Sequence, residues 1–207
     1  MEILQIVVLS LVVSSTATLF SFLIGFFLSL FIFLKNFILK KWLINFLNAL
    51  TGVPTVIFGL CVLLLLSRKG PFGSLKLLFT PTAIIIAQFF LLLPLVITLS
   101  LDVFNGEGKK ILETCKILQI PKNKIAKIFL KELIKPLVCI FLIAFSRAIS
   151  EVGAVSLVGG NIKGHTRVMT TYIALSTSMG NYDTSIIIAL ILFVISFLIN
   201  YLLRRKA

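Results

Sequence analysis

Five long apolar runs divide this chain, and they leave it few folds to choose from. Residues 3–34, 46–66, 83–101, 136–158 and 185–203 each approach or exceed the ~20 residues that carry a helix across a bilayer. In hydrocarbon a helix pairs all of its own backbone N–H and C=O groups, so runs of this length fold as helices. With 59% of the 207 residues hydrophobic and only 13% charged, the chain is expected to be an all-α integral membrane protein. Residues 1–207 are expected to form a single transmembrane domain of about five helices, with no soluble domain of ordinary size among them. The first run lacks the basic start of a secretory signal and is far longer than one, so it is expected to be a retained helix.

The net charge of +13 invites a nucleic-acid reading, but its placement points to a membrane. Lys35, Lys40 and Lys41 follow the first run, eight lysines between Lys109 and Lys135 follow the third, and Arg204, Arg205 and Lys206 close the chain. These fall on one side of the membrane when the N-terminus is outside. Arg68, Lys69, Lys76, Lys163 and Arg167 fall on the other. Positive-inside asymmetry therefore predicts an external N-terminus, a cytoplasmic C-terminus, a cytoplasmic loop over about 102–135 and an external loop over about 159–184. The expected location is the inner cell membrane, crossed several times.

Within the spans, polar residues stand out because they are expensive there. Ser10, Ser14, Thr18, Ser21, Gly25 and Ser29 form a small-residue stripe that suits close helix packing, within the chain or against another subunit. Phe26, Phe27, Phe31 and Phe33 are expected to face lipid. The second run passes Thr51-Gly52-Val53-Pro54, where the missing proline N–H predicts a kink or a fresh start. Thr80 and Pro81 suit the N-cap and first position of the third span, which Gln88 and Pro94 are expected to interrupt, Gln88 as an interhelical hydrogen-bond partner.

Arg147 and Glu151 are four residues apart inside the fourth run, and Gly159-Gly160-Asn161 closes it. Two roles stand open for the charged pair: mutual neutralisation on one helix face, or a positive potential along a path for something anionic. The glycine turn is either an outer gate or a helix end.

In the cytoplasmic loop, Asn105-Gly106-Glu107-Gly108 is expected to be a flexible start. A short amphipathic helix over 109–120 follows, with Leu112, Cys115 and Leu118 on one face, and Pro121 ends it. A second helix from Lys122 carries a lysine stripe suited either to anionic lipid or to a protein partner. Residues 168–178 suit a short surface or re-entrant helix, and Asn181 or Asp183 a cap for the last span. There is no GxxxxGK[ST] loop, no metal-ligand spacing around the three cysteines or His165, and no nucleophile–base pair. The chain is expected to be no enzyme and to bind no metal or cofactor of its own.

RAISEVGAVSLVGGNIKGHTRVMTT at 147–171, with TGVPTVIFGL at 51–60, SRKGPFG at 67–73 and LLFTPTAIIIAQ at 77–88, resembles the transmembrane subunit of ABC importers of the molybdate/tungstate/sulfate type, and most nearly the tungstate permeases. The resemblance covers almost the whole chain. It implies a type I importer fold, a homodimer around a central path, a cytoplasmic ABC ATPase dimer that uses ATP, and an external oxyanion-binding protein. It also implies a coupling segment with a Glu-Ala-Ala start and a glycine farther on. The aligned residues are Glu113, Thr114, Cys115 and Gln119, so the glutamate is kept and the glycine is replaced. Arg147, Glu151, Gly159, Gly160 and Asn161 are the candidates for path or gate. Molybdate or sulfate as cargo, or a stand-alone channel or secondary transporter, are the alternatives; the absence of an internal repeat weighs against the last.

Overall fold

The computed structural model describes residues 2–206, and in them the chain is helical without a strand. The helices are α1 (Glu2–Leu34), α2 (Lys40–Thr51), α3 (Thr55–Leu66), α4 (Pro81–Val103), α5 (Lys109–Ile117), α6 (Lys122–Ile149), α7 (Gly153–Gly159), α8 (Met169–Ser178) and α9 (Tyr182–Lys206). Three stretches are individually long and apolar enough to cross a membrane: α1, the stretch from Pro81 to Ile117, and α9 up to Tyr201. The α2–α3 pair passes as a fourth, but it bends by 101° at its break. Helix α6 has the length at 28 residues, while its first half is charged.

Helices α1 and α4 form the spine. Every residue of the small stripe on α1 is buried, and Gly25 shows why it is small: a Cβ there would stand 2.8 Å from Val96 Cγ1 of α4. The Ser21 hydroxyl reaches the Phe89 carbonyl of α4 at 3.2 Å, and Ser10 Oγ accepts the Met169 N–H of α8 at 2.8 Å. The stripe therefore serves packing within this chain. Of the phenylalanines expected in lipid, Phe27 and Phe31 are exposed. Phe26 and Phe33 are half-buried instead, Phe26 against Phe104 and Phe33 against Phe104 and Phe129, because the end of α4 and the start of α6 bring an aromatic cluster to α1 there.

Thr80 caps α4 and Pro81 opens it, as expected. Pro94 does not interrupt α4, which runs on from Pro81 to Val103. Nor is 105–108 a flexible start: Phe104–Gly108 is a π-helical turn that joins α4 directly to α5. Gly108 is buried in that turn, where a Cβ would lie 3.0 Å from Phe129 Cε2, so the glycine admits close packing. Pro136 likewise leaves α6 unbroken, and the expected cytoplasmic helix from Lys122 and the fourth span are one helix. That span breaks earlier than its glycines suggest, at Ser150–Val152.

Candidate functional site

The break after α6 is built by neighbouring helices. Gln88 of α4, 3% exposed, donates from Nε2 to the Ala148 carbonyl at 2.9 Å, a second donor to an acceptor that also takes the Glu151 N–H at 3.2 Å. Thr170 of α8 donates to the Glu151 carbonyl at 2.7 Å. The Glu151 carboxylate is buried and accepts the Ala154 N–H through Oε1 at 3.0 Å, so it closes the first turn of α7. Because the helix has ended at Ile149, the i,i+4 geometry that would join Glu151 to Arg147 is lost. Among the described residues, ion pairs join Glu2 to Lys163 and to Arg167, and none joins Arg147 to Glu151.

Arg147 faces a different space. A cavity of about 380 Å³ opens at the α2–α3 bend, walled by Thr51, Thr55, Ser146, Arg147, Ser150 and Asn200, over an apolar floor that includes Phe58, Leu91, Leu95 and Ile143. Among the described residues its lining thus holds one guanidinium, four hydroxyls and one amide, and no carboxylate. That donor set suits an anion. A second cavity, of about 460 Å³, shares Ile143 and continues along α4 and α6 past Asp102, Glu107, Glu132 and Lys135. On a helix of 3.6 residues per turn, the α6 residues of the two cavities share one face. They form one groove that is positive at Arg147 and acidic at its other end.

Gly159, Gly160 and Asn161 stand apart from this groove. Gly160, at φ +65°, caps α7 in the left-handed region, and a Cβ on it would meet Phe79 Cδ1 at 2.8 Å. Asn161, at φ +51°, ties the turn to α8: its Nδ2 donates to the Thr171 carbonyl at 3.2 Å, and its Oδ1 accepts from Thr171 Oγ1 at 3.1 Å. The observed geometry is that of a helix end fastened to its neighbour.

At the far end of α4, the residues aligned with the coupling segment form α5 and its turn. Glu113 and Thr114 are exposed, but Cys115 is only 2% exposed, on the side of α5 turned to the protein. Leu118 does not share that burial; it and Ile117 are exposed at 65% and 81% at the tip. The Ile120 N–H reaches the Cys115 carbonyl at 2.9 Å and the Gln119 N–H the Lys116 carbonyl at 3.1 Å, with Gln119 at φ +50°. This is a Schellman ending with Gln119 at the left-handed position that glycine ordinarily fills. A short helix is thereby ended sharply and presents an apolar tip.

Sequence reasoning missed Ser146, Ser150 and Asn200 of the cavity, and Thr170 behind the break. The sequence signal for Ser146 and Ser150 is their i−1 and i+3 spacing around Arg147. Asn200 gives no such signal, since α9 reaches the cavity only through the tertiary fold. Among the described residues, no three His, Cys, Asp or Glu side chains gather to hold a metal ion.

Residues 6–205 match the family described as binding-protein-dependent transport system inner membrane component. The chain is 45% identical over 199 residues to the tungstate uptake system permease protein TupB of Peptoclostridium acidaminophilum, covering 96% of this chain and 87% of that one. It is 35% identical to the protein of the same description from Campylobacter jejuni, covering 82% of this chain and 71% of the relative. It is also 35% identical to a probable anion ABC transporter permease protein of Haloferax volcanii, covering 98% and 90%. A multi-pass helical chain matched along nearly its full length belongs to the family of binding-protein-dependent transport system inner membrane components.

Proposed function

We propose that this chain is the membrane-spanning subunit of an ATP-driven importer for a tetrahedral oxyanion, tungstate, which it passes from an external binding protein to the cytoplasm. The observation that carries the reading is the near full-length similarity to permeases described as tungstate uptake components. The carboxylate-free cavity around Arg147 supports it, since a dianion crossing low-dielectric surroundings needs donors and positive potential. Two copies of the chain enclose the path, each contributing its α4–α6 groove. The carboxylates of Asp102, Glu107 and Glu132 at the inner end keep the dianion from dwelling there.

ATP hydrolysis belongs to a partner dimer that grips α5. The exposed Ile117 and Leu118 form the contact, Glu113 and Thr114 flank it, and the continuous helix from Pro81 to Ile117 transmits the push. The partner does this work by binding two states of the permease unequally. The asymmetry of lysine and arginine along the chain supports an external N-terminus and a cytoplasmic C-terminus.

Elemental mass spectrometry of cells with and without the gene, grown at low oxyanion supply, tests the reading. Selective loss of tungsten uptake, restored by the gene, is the expected result. Loss of molybdenum or sulfur uptake alone replaces the cargo. Unchanged uptake of all three, in cells without a redundant importer, overturns the proposal.

A further inference from the structure

A second groove, of about 470 Å³, runs along the opposite side of α6. Phe22, Phe26 and Phe27 of α1 form one wall, and Leu130, Ile134 and Phe141 of α6 line the other. At 3.6 residues per turn, this stripe of α6 lies about half a turn from the stripe carrying Arg147. The groove therefore faces away from the Arg147 cavity. Among the described residues no polar one lines it, and Phe27 and Ile134 are exposed at 64% and 59%.

The groove ends in charge. Lys127 stands on the same stripe three residues before Leu130, and Lys131 adjoins it; both are exposed, and among the described residues neither forms an ion pair. Glu132, the carboxylate nearest in sequence, lies on the other face of α6 and lines the acidic cavity. An apolar slot with two exposed cations beside its Leu130 end suits one chemical class: a lipid tail joined to an anionic headgroup. We propose that the groove holds an anionic phospholipid, with an acyl chain between α1 and α6 and its phosphate on Lys127 and Lys131. The site is independent of the cargo and of the Arg147 cavity.

Native mass spectrometry of the purified full chain, given equimolar phosphatidylglycerol and phosphatidylcholine, tests this. Each lysine near an anionic headgroup contributes ~1 kcal/mol, a factor of about five. The intact chain is expected to retain phosphatidylglycerol over phosphatidylcholine by at least about fivefold. The double variant K127Q/K131Q is expected to lose that preference, while K109Q/K110Q on α5 keeps it. A photoreactive benzoylphenylalanine in place of Phe27 is expected to capture phospholipid. Equal retention of the two lipids, or a preference that survives K127Q/K131Q, overturns the proposal. So does a photoproduct that joins two copies of the chain, which assigns the groove to a subunit contact.

Discussion

Replacing Gly59 with alanine tests whether the α3–α7 contact sets the geometry beside the break. A Cβ at Gly59 would stand 2.6 Å from Ala154 Cα, 3.1 Å from its carbonyl oxygen and 3.2 Å from its Cβ. The closest of these atoms is backbone, so no rotamer change relieves the clash. To reach ordinary contact the two helices must separate by about 1 Å, and overpacking of this kind costs roughly 1–3 kcal/mol. For a chain of this size that is a fall in Tm of roughly 3–9 °C. The assay is thermal unfolding of the purified chain in one detergent, beside G106A as control. Gly106 has nothing within 4 Å of its would-be Cβ, so its substitution is expected to be neutral or slightly stabilising. Truncating the partner sharpens the test, because A154G removes the 3.2 Å contact and leaves the 2.6 Å one. The double variant G59A/A154G should therefore remain destabilised. If G59A unfolds with the native chain, or A154G fully rescues it, the claimed backbone contact is wrong.

Arg147→Gln removes the only guanidinium that the described residues bring to the α2–α3 cavity; proteoliposomes carrying the whole transporter should lose tungstate import by about tenfold or more, with Arg147→Lys intermediate. Normal import by Arg147→Gln, with normal membrane insertion, removes Arg147 from the path. Gln119→Gly relieves a left-handed residue that costs ~1 kcal/mol or more, partly offset by glycine's greater freedom when unfolded. A modest rise in Tm is expected, and a clear fall would contradict the turn assigned to it. A cysteine placed at Leu118 should cross-link to the ATPase subunit with a short bridge while native Cys115 should not, since only the former is exposed. Efficient capture through Cys115 in the intact complex would invert the assigned docking face of α5.

The sequence carried the helices through their apolar length, because the bilayer penalty is set by composition and needs no partner. The small stripe on α1 was equally readable, since only close packing accounts for so many small residues on one line. What stayed hidden was settled by neighbours. Pro94 and Pro136 look like breaks, yet both helices continue, whereas Ser150-Glu151-Val152 carries no breaker and the chain bends there. The backbone carbonyls of Ala148 and Glu151 at that break accept side-chain donors from Gln88 and Thr170, on helices distant in sequence. The cavity was legible only where its residues cluster locally: Thr51 and Thr55 flank Pro54, while Asn200 comes from the last helix.

Glu151 is the residue whose meaning changes most once the break is seen. Four residues after Arg147 on a continuous helix, it would cancel the arginine's charge. Beyond the break, it instead closes α7 through the Ala154 N–H and leaves Arg147 uncompensated at the cavity. The two functions separate by substitution. Glu151→Gln deletes the charge but keeps an oxygen able to accept the same bond, whereas Glu151→Ala deletes both. If the carboxylate acts as a cap, Glu151→Gln should keep import near the native rate, and Glu151→Ala should cost about 1 kcal/mol of stability. If its charge tempers Arg147, both variants should bind the anion more tightly and release it more slowly. Import rates and Tm for the pair decide between the two, and slowed import by Glu151→Gln at unchanged Tm would refute the cap as its sole role.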